Sequence, residues 1–87
     1  MRTSLLLVLL LAAAPAMADT YAFGMKVVVS GDGPGKVTQV AGKPDRVVEL
    51  ENNRGAVYGE RWEYYIDGKT VSITFIDGKV TRITENR

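Results

Sequence analysis

The chain is 87 residues long, has a formal net charge of +1, and contains neither cysteine nor histidine. The near-neutral charge removes the electrostatic attraction on which binding to nucleic acids and to anionic membranes depends. Without Cys and His, thiol catalysis, zinc–histidine chemistry and serine triads are excluded.

The first eighteen residues have the pattern of a secretory signal peptide. Arg2 precedes an unbroken apolar run from Leu5 to Ala14, and an Ala-x-Ala sequence ends at Ala18. The run is ten residues long, whereas a membrane-spanning helix needs about 20, and no cysteine follows it to carry a lipid. We therefore expect cleavage after Ala18 and export to the periplasm, with neither a transmembrane segment nor a lipid anchor in the mature chain.

Residues 19–87 are predicted to form a single small domain made mostly of β-sheet. Loss of Arg2 leaves ten basic and ten acidic residues. The aliphatic residues of this part are ten Val and four Ile against the single Leu50, and β-branched residues favour a pleated, half-buried surface.

The mature chain begins with an alternating pattern that predicts one long strand ending at Gly31. Its inward positions would be the odd-numbered apolar residues Tyr21, Phe23, Met25, Val27 and Val29.

A short helix is predicted after this strand. Asp32 would cap its N-terminus, Pro34 is tolerated in its first turn, and Val37, Val40 and Ala41 recur on one face. Gly42 and Pro44 would end the helix.

The C-terminal half contains a ten-residue repeat, Ile66–Lys69 and Ile76–Lys79, that predicts two type I′ turns and a three-stranded meander. A bulge near Thr81 and Arg82 would return Ile83 to the core face. Residues 46–51 are predicted to form another strand, of modest regularity, and residues 52–55 have the composition of a turn or a mobile loop. The core face of the meander would carry Trp62, Tyr64, Val71, Ile73, Phe75 and Val80.

Together these elements predict an α+β fold. An antiparallel sheet of three to five strands, with the three-stranded meander at its C-terminal end, would pack against one short helix.

The candidate sites for chemistry all have simpler structural interpretations. Glu49 and Glu51 share one side of a strand and are the carboxylate pair best placed to cooperate, but a solvated strand face explains them. The glycine-rich stretch 31–35 lacks a donor at Pro34 and carries Asp32, so it is a poor phosphate site. Asp67 and Asp77 lack the spacing of a calcium loop. We expect no cofactor, no metal and no enzymatic activity.

A binding surface is the more plausible functional feature. On the sheet face opposite the core, Arg61, Tyr65 and Ile76 form a mixed strip with Thr70 and Thr74. An exposed edge strand could also accept a strand from a partner.

Two motifs carry a family resemblance over residues 23–85. The first consists of Gly31-Asp32, Val37, Gly42 and Pro44-Asp45; the second consists of Trp62, Tyr64, Phe75, Gly78-Lys79-Val80 and Ile83. Together they resemble the small exported proteobacterial family called domain of unknown function 2845, and more distantly the SmpA/OmlA type of outer-membrane assembly lipoprotein.

The chain departs from both families. Phe23 and Ala41 stand where the first family usually has two cysteines, and the acylated cysteine of the lipoproteins is missing. The resemblance implies a periplasmic α+β domain that acts through protein contacts rather than catalysis.

The leading functional hypothesis is a soluble, non-catalytic interaction module that binds an envelope or periplasmic protein; a homodimer stays open. A second hypothesis is an inhibitor of a secreted hydrolase, like the β-lactamase inhibitory domains, with an exposed aromatic loop at Tyr58–Arg61. A third, carboxylate-based metal binding, would use Glu49 and Glu51.

Overall fold

A computed structural model describes residues 19–87, and the predicted signal peptide lies outside the described residues. One short helix packs against two antiparallel sheets, one of two strands and one of four strands in the order β3-β4-β5-β6. The predicted α+β class is therefore confirmed. In chain order the elements are β1 (Thr20–Phe23), β2 (Lys26–Val29), α1 (Pro34–Ala41), β3 (Arg46–Glu51), β4 (Val57–Ile66), β5 (Lys69–Ile76) and β6 (Lys79–Asn86).

The C-terminal meander forms with the predicted register. Asp67 and Gly68 have φ of 50° and 78°, and Asp77 and Gly78 have φ of 53° and 75°. Two consecutive positive φ values define the type I′ turn, whose twist matches that of the flanking strands. Tyr64 therefore pairs with Val71, and the alternation along β4 and β5 continues without a break.

The predicted bulge lies at Thr81. Thr74 pairs with Arg82 and Phe75 with Val80, so Thr81 is the extra residue on β6. Its hydroxyl donates a hydrogen bond to the carbonyl of Thr74 at 3.3 Å. The extra residue changes the phase of β6, and Ile83, opposite Ile73, returns to the core face.

The prediction of one long N-terminal strand is wrong. A turn at Gly24 and Met25 divides the segment into the β1–β2 hairpin. Gly24 has a φ of 66°, which suits the first central position of a type II′ turn. The turn changes which residues after it point inward: Val28 is buried, whereas Met25 is fully exposed and Val27 is 40% exposed.

The helix forms where predicted, but Asp32 does not cap it. The N-cap residue is Gly33, without a side-chain hydrogen bond. The Asp32 carboxylate instead accepts a hydrogen bond from Val29 N at 2.9 Å and lies 3.5 Å from Lys36 Nζ. Asp32 N also donates to Val29 O at 3.1 Å. The carboxylate and the backbone N–H of Asp32 are therefore both used in the turn after β2, before the helix begins.

The predicted C-terminal end of the helix is confirmed. Gly42, with a φ of 82°, donates its N–H to the carbonyl of Thr38 at 2.8 Å, and Pro44 follows. Tyr64 Oη donates a hydrogen bond to the carbonyl of Gly42 at 2.9 Å, which ties this end of the helix to β4.

The core lies between one face of the four-stranded sheet and the layer formed by α1 and the β1–β2 hairpin. Trp62 lies only partly buried at the margin, with its ring centroid 4.6 Å from that of Phe75. Tyr64, Val71, Ile73, Phe75 and Val80 are buried as predicted, and Ile83 is partly buried. The buried apolar residues are Val28, Val37, Tyr64, Val71, Ile73, Phe75 and Val80.

Residues 46–51 form the predicted strand, and residues 52–55 form a tight turn that leads into β4 at Val57. β3 pairs with β4 from Arg46 opposite Glu63 to Leu50 opposite Gly59, with an irregularity at Glu51. In the turn, Asn52 Oδ1 accepts hydrogen bonds from the backbone N–H groups of Arg54 and Ala56.

Candidate functional site

The four-stranded sheet has a second face, which we call the outer face. Because α1 and the β1–β2 hairpin pack on the core side, the outer face lies away from both. Pairing of Arg61 with Thr74, and of Tyr65 with Thr70, places these side chains on the outer face together. The outer-face residues of β3 are Arg46, Val48 and Leu50.

A cluster of four side chains joined by hydrogen bonds and ion pairs lies on this face; we call Arg46, Arg61, Glu63 and Tyr65 the Glu63 cluster. Arg61 Nε donates to Glu63 Oε2 at 3.1 Å, and Tyr65 Oη donates to Glu63 Oε1 at 3.1 Å. Arg46 Nη1 lies 3.6 Å from Glu63 Oε1. Glu63 is only 8% exposed, although it lies on the face that neither α1 nor the β1–β2 hairpin covers.

The electrostatics of the cluster favour the charged form of Glu63. The hydrogen bond from Arg61 holds the pKa of the Glu63 carboxyl below its usual value, against the effect of burial, and Tyr65 and Arg46 act in the same direction as Arg61. The carboxylate therefore holds two guanidinium groups and one phenol in place, while Tyr65 itself is 54% exposed. Such a preorganised Arg and Tyr surface is typical of protein interfaces.

Sequence reasoning missed Glu63. The available signal was its position between Arg61 and Tyr65 at alternate residues, which places all three on one face.

The outer face is apolar near the β5–β6 turn. Gly59 pairs with Leu50 on one side and Ile76 on the other. A Cβ atom at Gly59 would lie 2.7 Å from Ile76 Cδ1, and closer still to the carbonyl oxygen of Phe75. The side chain of Ile76 therefore lies over Gly59, and with Leu50 and Val48 it forms an apolar end beside the Glu63 cluster.

The three predicted partner-binding residues share the outer face but do not form one cluster. Arg61 and Tyr65 belong to the Glu63 cluster, whereas Ile76 lies opposite Gly59. Tyr65 lies six positions along β4 from Gly59, which is about 20 Å in a strand.

The other candidate sites are exposed carboxylates or parts of turns. Glu49 and Glu51 are both exposed on β3. Within residues 19–87, no group of three His, Cys, Asp or Glu side chains is arranged to hold a metal ion. Asp67 and Asp77 form their turns, and Gly31 N donates to the carbonyl of Val80 at 2.8 Å instead of pointing into a phosphate cradle.

The aromatic loop on which the inhibitor hypothesis depends is not a loop. Tyr58–Arg61 belongs to β4 and pairs with both neighbouring strands from Gly59 onward. Tyr58 is 51% exposed and is the residue skipped at the register shift between β3 and β4.

A shallow cavity of about 290 Å³ lies between β1 and the β4–β5 turn. Two of its lining side chains are engaged by Glu85, outside the lining: Tyr21 Oη donates to Glu85 Oε1 at 2.7 Å, and Lys69 Nζ lies 3.4 Å from the same oxygen. These contacts attach the β1–β2 hairpin to the sheet. The cavity is lined by Tyr21, Ala22, Phe23, Gly24, Ile66, Asp67 and Lys69.

No protein-family model, curated protein or solved structure significantly matches this chain. The resemblance stated from the sequence motifs therefore stays a prediction. The helix formed within residues 19–87 is too short and too polar to cross a membrane.

Proposed function

We propose that this protein is an exported, non-catalytic protein-interaction module that binds an envelope or periplasmic partner through the outer face of its sheet. The observation that carries the proposal is the Glu63 cluster. A buried carboxylate positions Arg46, Arg61 and Tyr65 on a face that neither α1 nor the β1–β2 hairpin covers.

The physical chemistry of this face suits protein recognition. Arg61 and Tyr65 are held by hydrogen bonds to Glu63, and Arg46 forms an ion pair with it, so less side-chain freedom is lost when a partner binds. The adjoining apolar end, with Val48, Leu50 and Ile76, supplies area that is stabilising to bury. A centre of this kind, with Arg and Tyr beside aliphatic side chains, resembles the hot spots of known interfaces.

Site-specific photo-cross-linking tests the surface. A photo-reactive phenylalanine analogue replaces Tyr65 on the outer face or, as a matched control, Gln39 on the exposed side of α1. We expect a discrete adduct in envelope extracts from position 65 and none from position 39. Equal labelling from the two positions would contradict the proposal, and an adduct of twice the chain's mass would identify a second copy as the partner.

Export is tested separately by fractionation and N-terminal sequencing. We expect a periplasmic product whose first residue is Asp19, because the Ala-x-Ala pattern ends at Ala18. An uncleaved chain retained in the cytoplasm would contradict the periplasmic assignment but not the interaction surface.

A further inference from the structure

The two edges of the four-stranded sheet differ. At the β6 edge, Val80 N donates to the carbonyl of Asp32 at 2.8 Å, and Val80 O accepts from Gly31 N at 2.8 Å. Ile83 N donates to Asp19 Oδ2 at 2.7 Å. The backbone groups of Val80 and the N–H of Ile83 are therefore occupied, which shortens the stretch of this edge that could act as a pairing template.

Along the β3 edge, a row of backbone N–H and C=O groups has no partner within residues 19–87. The type I′ turn makes Ile66 and Lys69 a hydrogen-bonded pair, so even-numbered residues of β4 bond to β5 and odd-numbered ones face β3. In agreement, Tyr65 N donates to Asp45 Oδ2 at 2.8 Å. Because Arg46, opposite Glu63, faces β4, the backbone groups that face away from the sheet are those of Val47, Glu49 and Glu51.

These outward backbone groups are not used elsewhere in the described chain. Among the hydrogen bonds of residues 19–87 outside the regular ladders, none involves the N–H or C=O of Val47, Glu49 or Glu51. The edge is six residues long, enough for an added strand to form a ladder.

From Val48 onward, this edge is acidic on its core side and apolar on its outer side; at its start, Val47 lies on the core side and Arg46 on the outer side. Glu49 and Glu51 lie on the core side, and Glu60 lies directly opposite Glu49. Facing carboxylates repel each other, and none of these three is in an ion pair within residues 19–87. On the outer side, half-buried Val48 and Leu50 continue into the apolar end.

This pattern selects the chemistry of an added strand. Basic side chains on the core side would meet Glu49, Glu51 and Glu60, and apolar side chains on the other side would extend the surface of Val48 and Leu50. A second copy of this chain fits less well, because antiparallel pairing of two β3 edges would gather the glutamates of both copies on one face.

We propose that the β3 edge binds an extended partner segment in which Lys or Arg residues alternate with apolar residues, added as a fifth strand. This inference rests on the proposed interaction function and specifies the chemistry of its partner. Main-chain hydrogen bonds to Val47, Glu49 and Glu51 supply part of the affinity, and the acidic side chains set the specificity.

Fluorescence anisotropy with labelled peptides of about eight residues tests this. We expect the full chain to bind an alternating Lys–Val peptide at least about tenfold more tightly than an alternating Glu–Val peptide, with the difference shrinking at about 0.5 M salt. In the double variant Glu49→Lys with Glu51→Lys, the preference should reverse. Both positions are exposed, so the fold is retained, which circular dichroism checks.

Backbone N-methylation separates strand addition from simple charge attraction. One Lys–Val peptide is N-methylated at alternate residues and a second at the intervening residues, so net charge and composition stay the same. Only one of the two methylation patterns removes the N–H groups that face β3. We therefore expect the peptide with that pattern to lose at least about tenfold in affinity and the other peptide to bind as before. Equal binding by both peptides, or an unchanged preference in the double variant, would overturn the inference.

The two proposals fail separately. If the protein binds the basic and acidic peptides equally but the Tyr65 cross-link still forms, the proposal of strand addition at the β3 edge is wrong and the outer-face function stands. If the peptides behave as expected but no adduct forms at Tyr65, the partner uses the edge without the outer face. Failure of both experiments would contradict the interaction function itself.

Discussion

Glu63 shows how one residue can organise a surface without belonging to the core. It lies on the outer face, yet Arg46, Arg61 and Tyr65 cover it and bond to it. An ionised carboxylate can be buried in this way because guanidinium and phenol groups satisfy its oxygens. The same contacts that stabilise the charge also hold the recognition side chains in place.

Replacing Glu63 by Gln should lower stability and flatten its acid dependence. Because the pKa of folded Glu63 lies below its usual 4.5, its stabilisation is full above that pH and is lost as the pH falls through the folded value. We expect Glu63→Gln to cost about 1 to 2 kcal/mol at pH 7 and progressively less in acid. Urea unfolding at several pH values measures this, with Glu51→Gln as an exposed control; parallel pH profiles for wild type and Glu63→Gln would contradict it.

Tyr64 is the core tyrosine, and its environment predicts an effect at alkaline pH. Burial raises the pKa of the Tyr64 hydroxyl from 10.0 to about 12, with a smaller contribution from Asp45. The neutral form is therefore the one the fold accommodates, so its contribution is full below pH 10 and is lost as the pH rises through about 12.

Tyr64→Phe should remove this alkaline loss and also the hydrogen bond to the carbonyl of Gly42. We expect Tyr64→Phe to cost about 1 kcal/mol at pH 7. Between pH 10 and 12 the difference from wild type should shrink in chemical denaturation. A constant difference over that range would show that Tyr64 ionises in the folded protein as it does in water.

At the scale of elements, turn chemistry decided most of the sheet. Each Asp-Gly pair demands two positive φ values, and the two-residue loop then leaves only one register for the strands it joins. The helix, in contrast, has weak local determinants: glycines at its N-cap and second position, and no capping side chain. Packing of Val37 into the core must stabilise it.

Two Gly→Ala substitutions should therefore have opposite effects. Gly78 has a φ of 75° and open space around it, so Gly78→Ala tests conformation alone, and we expect a loss of about 1 to 2 kcal/mol. Gly35 lies in the first turn of α1, also with open space, and Gly35→Ala should stabilise by up to about 1 kcal/mol. Thermal unfolding of both variants measures the contrast; equal shifts of the same sign would contradict it.

At the scale of the whole molecule, one thin core supports both layers. Val28, Val37 and Ile73 come from the hairpin, the helix and the meander, and each is fully buried. In a domain of this size little apolar surface is available for burial, so the loss of one large side chain is a large fraction of total stability.

When a side chain of the sheet is truncated, the loss of stability, measured by thermal unfolding, should increase with the burial of that side chain. We expect Ile73→Ala to cost about 2 to 5 kcal/mol. Trp62→Ala should cost roughly 2 to 3 kcal/mol, below the loss for an enclosed aromatic, because its ring lies at the margin of the core. Val47→Ala, at a side chain 49% exposed, serves as the control with a change within about 0.5 kcal/mol. A larger effect for Val47 than for Ile73 would contradict this description of the core.

What the sequence by itself determined are the features set by neighbouring residues: the two type I′ turns, the bulge that restores Ile83, the helix end at Gly42, and the strand over 46–51. Their dihedral angles and periodicities depend on a few adjacent side chains, so local rules are sufficient.

Only the tertiary structure decided the reversal at Gly24, the partner of Asp32, the burial of Glu63 and the contrast between the two sheet edges. The Ile83 N–H bonds to Asp19 at a separation of 64 residues, and Tyr64 bonds to Gly42 across 22. Such contacts depend on how whole elements meet in space. Local preferences allowed Asp32 to bond either to the helix N-terminus or to the preceding turn. They also allowed either Val27 or Val28 to point inward. Packing against the rest of the molecule selected one of the two arrangements in each case.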